Sequence, residues 1–280
     1  ANTSGAGNTA IGYQALTAET DGDKSTAVGY QALTAQNTVD GEVSNTAIGY
    51  SAGKAITTGI KNVIIGSNAG IVAQDVDETV IIGQAACGDG NLTATGTVAI
   101  GRLAGYALTT GAGNTAVGYT SMADVVEGGN NTAIGYNAFG GALDATADAS
   151  SHNIFIGYDT GSGNWTTATS GTNVGIGNYV MDAIMTGADS NTAIGHSALG
   201  AVTNGDGNVA IGADAGNDIT TATPKRGGVT VQENEVVTSD GGKVIYTSTD
   251  QAGNFRIGDD LQINQNTGTI SGRAFSKSLF

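Results

Sequence analysis

Short apolar stretches recur along the chain, and each ends at a glycine followed by a polar or aromatic residue. The phrase reads GNTAIGYQAL from Gly7, SNTAIGYSAG from Ser44 and GNTAVGYTSM from Gly113. Successive copies, aligned on this repeat glycine, are 17, 20, 17, 17, 18, 17, 17, 22, 20, 18 and 17 residues apart. Such a period is typical of stacked units that cannot bury an apolar face alone, so it predicts a solenoid. The repeat glycines are Gly12, Gly29, Gly49, Gly66, Gly83, Gly101, Gly118, Gly135, Gly157, Gly177, Gly195 and Gly212.

Two columns of the repeat predict a strand before the glycine. The residues one and three positions before it are β-branched in all twelve copies. Side chains two apart share one face of a strand, and β-branched residues fit that surface well, so we expect this face to be buried. The residue two before the glycine is Ala in eight copies, and the residue three after it is Ala in nine. These small residues predict close packing, either within the coil or between chains.

The polar column four before the glycine holds Asn in nine copies. Asn tolerates turn geometry, and its side chain can bond its own backbone or form a ladder along a solenoid. We expect the glycine to turn a corner with a positive φ, because only glycine adopts that conformation without strain.

These patterns predict an all-β fold, a β-solenoid or β-roll of about twelve 17-residue coils followed by a small C-terminal β module. Residues 1–218 form the repeat shaft, 219–228 a linker with the one proline, and 229–280 the module, with turns at DGG, QAGN and NTG. A coil this small encloses few side chains against ordering costs of about 1–2 kcal/mol per residue. We therefore expect a parallel homotrimer, with an intertwined C-terminal module that clamps its register.

The composition and charge of the chain limit the classes of partner that it can bind. The chain has 46 Gly and one Pro, which suits short strands and tight turns, and it contains no apolar run of membrane-spanning length. The net charge of −15 argues against nucleic acid and anionic membranes as partners. A single Cys excludes an intrachain disulfide. The start at Ala1, inside a repeat phrase, predicts a processed chain or a segment of a longer one.

Candidate chemistry is sparse. Cys87 stands in a column of large apolar residues, so we interpret it as a core residue. His152 and His196 have no second histidine or cysteine at ligand spacing, and no catalytic, cofactor or metal residue is assigned. Acidic turns such as TDGDK and DVDET suggest calcium, but they match no calcium-loop spacing, and solvated loops are the favoured interpretation.

Aromatic residues supply the candidate surface contacts. One column would form a ladder of rings, a kind of surface that suits sugar binding, although rings that cover one another are the simpler interpretation. Trp165 lies in a long insertion, where it would be either an exposed contact or a loop anchor. The ladder residues, each directly after a repeat glycine, are Tyr13, Tyr30, Tyr50, Tyr119, Tyr136 and Tyr158.

Two resemblances to known families indicate which kind of particle or cell carries this protein. The unit NTAIGYQAL resembles the head repeats of trimeric autotransporter adhesins, whose Ser-Val-Ala-Ile-Gly motif builds a left-handed β-roll from three identical chains. Coils here are longer than in those heads, so their loop geometry does not carry over. The tail GNFRIGDDLQINQNTGTISGRAFSKSLF, residues 253–280, resembles the C-terminal part of structural and fibre proteins of tailed phages, cyanophages especially.

The leading hypothesis is a non-enzymatic tail fibre of a bacteriophage virion, hence an extracellular protein, with a role in host attachment. Its expected partners are its own copies, other tail or baseplate proteins and a host-surface glycan. The alternative is a trimeric adhesin head on a bacterial cell surface. A glycan-cleaving tailspike ranks lower because the acidic residues concentrate in turns, and an ice-binding rod because Val or Ile breaks the Thr column in half the copies.

Overall fold

The structure is a computed structural model that describes residues 4–38, 41–141, 148–166, 168–217 and 219–221, and five short strands beyond them. Within these ranges the chain forms strands and turns, and no helix there has the length and apolar character needed to cross a membrane. The strands, in chain order, are β1 Thr9–Ile11, β2 Gly22–Asp23, β3 Thr26–Val28, β4 Gly41–Glu42, β5 Thr46–Ile48, β6 Val63–Ile65, β7 Val80–Ile82, β8 Val98–Ile100, β9 Thr115–Val117, β10 Thr132–Ile134, β11 Ile154–Ile156, β12 Val174–Ile176, β13 Thr192–Ile194, β14 Asn208–Ile211, β15 Gly228–Val231, β16 Ser239–Asp240, β17 Lys243–Val244, β18 Asn264–Gln265 and β19 Gly268–Thr269.

Each repeat phrase contributes one strand to a single parallel sheet. The sheet has thirteen strands in the order β1, β3, β5 to β15, and equivalent residues pair, as in Thr9 with Thr26 and Ala10 with Ala27. A two-stranded parallel pair, β2 with β4, lies in the loops of the first coils. The predicted solenoid is confirmed, with eleven turns of chain between the twelve repeat strands.

The described strands after the repeats refine the predicted boundary. Strand β15 pairs in parallel with β14, so the sheet of the shaft extends into the segment predicted as a separate module. The antiparallel pairs of β16 with β17 and of β18 with β19 flank the predicted DGG and NTG turns, whose central residues lie outside the described ones. The QAGN turn, the rest of the module and its predicted clamp lie outside the described residues.

The interior of the coils is lined by the small column rather than the β-branched one. Ala27, Ala99 and Ala133, two before their glycines, are fully buried, and so are most alanines three after the glycine. The β-branched residues point outward, with Ile134 38% exposed. The prediction that the β-branched face is buried is therefore wrong for the single chain. The small side chains of the strand leave room inside the coil for larger ones such as Leu33, which is also fully buried.

The repeat glycines turn the corner as predicted, each with a φ between +127° and +141°. At this corner the backbones of successive coils touch. A Cβ placed on Gly66 would lie 2.5 Å from the carbonyl oxygen of Gly83. This column therefore requires glycine for two reasons: its positive φ and the close approach of the backbone of the next coil.

The asparagine column forms a buried ladder along the solenoid. The Asn131 backbone N–H donates to Asn114 Oδ1 at 2.8 Å, and the Asn153 backbone N–H donates to Asn131 Oδ1 at 2.9 Å. The side-chain Nδ2 of Asn131 donates to the carbonyl oxygen of Ser150 at 2.9 Å. Each amide thus satisfies backbone groups that the turn leaves without sheet partners, and of the two predicted roles the ladder is the one observed.

Candidate functional site

The outward face of the main sheet is the most extensive candidate surface. It carries two columns of Thr, Val and Ile, at three and one positions before each repeat glycine, and neither column contains a charged residue. Ile48, Ile134 and Ile176 are each 37–40% exposed, and the remaining members are half-buried or exposed. With strands about 4.8 Å apart, twelve coils give a strip about 60 Å long and on the order of 600 Å² in area. That is at the upper end for an apolar patch on a monomer, which points to an interaction surface.

The tyrosine column forms the predicted ladder, in two segments. Tyr13, Tyr30 and Tyr50 stack with ring centroids 5.2 Å apart, and Tyr119, Tyr136 and Tyr158 stack at 5.2 and 5.0 Å. The second segment continues edge-on through Tyr179 to His196, at 5.4 and 5.6 Å. The rings are 40–62% exposed, but within each segment they cover one another's faces. Sugar stacking requires a free face, so this geometry favours the simpler interpretation of mutual cover.

The ladder is interrupted where Ser67, Gln84 and Arg102 replace tyrosine. Arg102 covers the free face of Tyr119 at 5.4 Å from the ring centroid, and its Nη1 donates to Tyr119 Oη at 2.7 Å. Its Nε donates to Gln84 Oε1 at 3.0 Å. Tyr50 therefore ends the first segment with an open face. Sequence reasoning missed Arg102 because it stands in the ladder column but is not aromatic, and it missed Tyr179 because that residue lies one position after the column.

Trp165 is fully buried, so its interpretation as an exposed contact is wrong and its role is that of a loop anchor. Its ring centroid lies 4.6 Å from Phe139 and 5.7 Å from Phe155, and the two phenylalanines are 5.3 Å apart. The indole Nε1 has no hydrogen-bond partner within the described structure, so packing alone holds the ring. These three side chains fill the interior of the coils that end at Gly157 and Gly177, which are 22 and 20 residues long. Phe155 was visible in the sequence as a bulky exception in a column of mostly alanine, whereas Phe139 stands in the same column of large apolar residues as Cys87.

Cys87 is a core residue, as predicted. It is fully buried, and burial raises the pKa of its thiol to about 12. A thiol with such a pKa carries almost no thiolate at neutral pH and is a poor nucleophile and metal ligand.

The acidic turns have a structural role. The Asp77 carboxylate accepts the Ile60 backbone N–H from the preceding coil at 2.8 Å, and Asp189 accepts that of Gly171 at 2.6 Å. Thr57 and Thr58 hydroxyls donate to Asp75 at 2.6 and 2.8 Å and lower the pKa of its carboxyl. In the part of the chain that the structure describes, no group of three or more His, Cys, Asp or Glu is placed to hold a metal ion.

The half-buried Asp182 is the acidic residue that bears on the tailspike alternative. Burial raises the pKa of the Asp182 carboxyl, the nearby charge of Asp159 raises it further, and His196 opposes the shift. Asp159 Oδ1 accepts the Asn137 side-chain amide at 2.8 Å. A carboxyl with a raised pKa is one of the two carboxyl groups that glycan cleavage requires, so Asp182 is where the tailspike alternative can be tested.

The polar core of the first coils was not foreseen. Glu19 is fully buried, in a column that holds Ile56, Leu108 and Val125 in later coils. Its carboxylate accepts Gln36 Nε2 and the Gly22 backbone N–H, both at 2.8 Å. Burial by itself raises the pKa of Glu19, but the hydrogen bonds outweigh burial and lower the pKa below its ordinary value.

Comparisons with protein-family models, with curated proteins and with solved structures found no match for this chain. The resemblances to adhesin heads and to phage fibre proteins therefore rest on the motifs alone.

Proposed function

We propose that this chain is a non-enzymatic structural fibre of a phage virion, which assembles as a parallel homotrimer and contributes to attachment at the host surface. In this proposal its partners are two further copies of itself, other tail or baseplate proteins and a glycan of the host. The repeats form the shaft of the fibre, and as part of a virion the protein is extracellular.

The observation that carries the proposal is the outward face of the sheet. Two uncharged columns run without interruption along all twelve coils, although the chain as a whole is strongly acidic. Three such faces, turned toward a common axis, would each cover the apolar strip of the others. Parallel chains in register would bring identical rows of Thr, Val and Ile together at every level. The acidic turns lie outside these columns and would stay in solvent.

A fibre suits the way the coils are built. Each coil bonds mainly to its two neighbours, so length is set by the number of coils and each added coil extends the shaft by about 4.8 Å. The phage-like tail sequence of residues 253–280 supports a virion over a cell surface as the site of this shaft.

Light scattering on the full chain tests the assembly. We expect a trimer for the wild type and a monomer for Ile134→Asp, which places a charge in the outward face at a side chain that is 38% exposed. Ile184→Asp is the matched control, because Ile184 is 52% exposed and lies outside the sheet. A wild-type monomer, or an unchanged trimer for Ile134→Asp, would overturn the proposed interface.

Electron microscopy with a labelled antibody tests whether a phage particle or a bacterial cell carries the protein. Label on the tail of a phage particle supports the fibre, whereas label on a bacterial envelope would favour the adhesin alternative. Release of reducing sugar from host polysaccharide, abolished by Asp182→Asn, would favour the tailspike and contradict a non-enzymatic role.

A further inference from the structure

An open cavity of about 310 Å³ lies on the outer surface just before strands β11, β12 and β13. It spans three successive coils. Its lining residues occupy mainly the two columns five and six positions before the repeat glycines. The polar side chains that line it are Ser151, His152, Thr169, Ser170, Thr172, Asp189 and Ser190.

The cavity lies where the period of the repeat is longest. The coils that end at Gly157 and Gly177 are 22 and 20 residues long, against 17 in most of the chain. The buried cluster of Trp165, Phe139 and Phe155 fills the enlarged interior of the same coils. Insertions in a repeat protein collect on one face, which is often the binding face, and here the aromatic cluster fixes their base.

Hydrogen bonds hold several lining groups in place. Thr172 Oγ1 and Ser190 Oγ are 2.9 Å apart. Ser170 Oγ accepts the backbone N–H groups of Gly187 and Ala188, both at 3.1 Å. These hydroxyls are therefore ordered before any ligand arrives, which lowers the entropic cost of binding.

The chemistry of the lining selects the class of ligand. Five hydroxyls, one imidazole and one carboxylate supply donors and acceptors at short spacing, and no Lys or Arg is among the described residues that line the cavity. An anionic ligand would meet Asp189 and a chain of net charge −15, so it would be repelled. A single lining carboxylate is too few for a calcium site, which takes six to eight oxygens. A volume of about 310 Å³ is at the lower end of small-molecule sites and fits one or two sugar rings.

We infer that this cavity, which the exposed His152 lines, binds a neutral saccharide unit of a surface polysaccharide. The inference rests on the proposed function, since it locates the glycan contact of the fibre. The imidazole offers a ring face and a polar edge to the sugar, and the exposed hydroxyls of Thr169, Thr172 and Ser190, with Asp189, bond to its hydroxyl groups. The tyrosine ladder is a separate surface and is not part of this site.

Saturation-transfer NMR on the full chain tests the site with free glucose, galactose, mannose, rhamnose and N-acetylglucosamine as probes, and with N-acetylneuraminic acid as the anionic comparison. We expect at least one neutral sugar to receive saturation, and the anionic sugar to receive none. His152→Asn should weaken that binding at least about fivefold. Asparagine tolerates the φ of +62° at this position, as Asn130 does at +56° in the same column of the preceding coil.

His196→Asn is the matched control, since Asn178 occupies its column one coil earlier. It should leave sugar binding unchanged. Binding that persists in His152→Asn, or no saturation of any neutral sugar, would overturn the site. Light scattering on the same samples separates the two proposals. A trimer that binds no neutral sugar refutes the cavity alone, and a monomer whose sugar binding depends on His152 refutes the assembly alone.

Discussion

Replacing a repeat glycine with alanine tests how the coils stack. Gly66 has a φ of +134°, and a Cβ there would lie 2.5 Å from the carbonyl oxygen and 2.7 Å from the carbonyl carbon of Gly83. A non-glycine residue in such a conformation costs about 1–3 kcal/mol. The overlap is with backbone, which cannot rotate aside as a side chain can, and adds about 1–3 kcal/mol. We expect Gly66→Ala to destabilise the chain by about 2–6 kcal/mol.

The control is a glycine with a positive φ and open space. Gly96 has a φ of +71°, and nothing lies within 4 Å of a Cβ built on it. Asn130 occupies the same column with a φ of +56°. Gly96→Asn should therefore stay within about 1 kcal/mol of the wild type, because asparagine tolerates this conformation.

Thermal unfolding by circular dichroism is the assay, supported by amide hydrogen exchange because a stack of coils can open locally. In proteins of 150–250 residues, 1 kcal/mol corresponds to roughly 2–4 °C in Tm. Gly66→Ala should lower Tm by at least about 4 °C and raise exchange in the adjoining coils. A Tm within about 2 °C of the wild type, with unchanged exchange, would show that the glycine stack imposes no such constraint.

Three further predictions concern buried polar groups. The folded pKa of Glu19 lies below its ordinary value of 4.5, so its stabilisation is complete above that value and is lost as the pH falls through the folded pKa. Melts over roughly pH 3 to 6 should therefore show a steeper acid loss for the wild type than for Glu19→Gln, and equal slopes would contradict this. Cys87 should resist an aromatic disulfide reagent at about pH 8 until the chain is denatured, and fast native labelling would refute its burial. Asn131→Ala leaves the Asn153 backbone N–H without its side-chain acceptor and removes one donor to the Ser150 carbonyl, so it should cost about 2–4 kcal/mol by denaturant titration, whereas Asn130→Gly should cost about 1 kcal/mol or less.

Features that recur in a column were predictable from the sequence. The solenoid and the corner glycines follow from a residue that one position of the coil holds in all twelve copies. The asparagine ladder follows from a residue held in nine copies, and the burial of Cys87 follows from the large apolar residues in its column. The tyrosine ladder was predictable for the same reason, because equivalent residues of stacked coils lie about 4.8 Å apart.

The orientation of the strand was not predictable from β propensity, because both of its faces are apolar or small. The sequence does contain a usable signal, because a large side chain in one column of the repeat accompanies a small one in another column. Where the inward residue is Ile64 or Ile81, glycine stands four after a repeat glycine, and a Cβ on Gly53 or Gly70 would lie 3.1 or 3.3 Å from that isoleucine. When a larger side chain in one column accompanies a smaller one in another, the two side chains fill the same interior space, and this identifies the inward face of the strand.

The same exchange explains one irregular coil. Gly175 stands where most coils have Ala, and a Cβ there would lie 2.8 Å from the Phe155 ring. The cavity near His152 could not be predicted in this way, because it depends on how residues from three coils of unequal length lie next to one another.

The parallel sheet also determines how one chain would respond to force. Its hydrogen bonds run along the axis of the stack, so axial tension loads the bonds of one coil at a time rather than all of them together. A peeled coil of 17 residues lengthens the chain by about 50 Å, the difference between its extended length and one strand spacing. Optical-tweezer traces of a single chain should show repeated steps near that size at a roughly constant force, whereas one large rupture would contradict peeling. A single chain therefore unwinds coil by coil under axial force, and a stiff fibre requires lateral contacts that couple its coils.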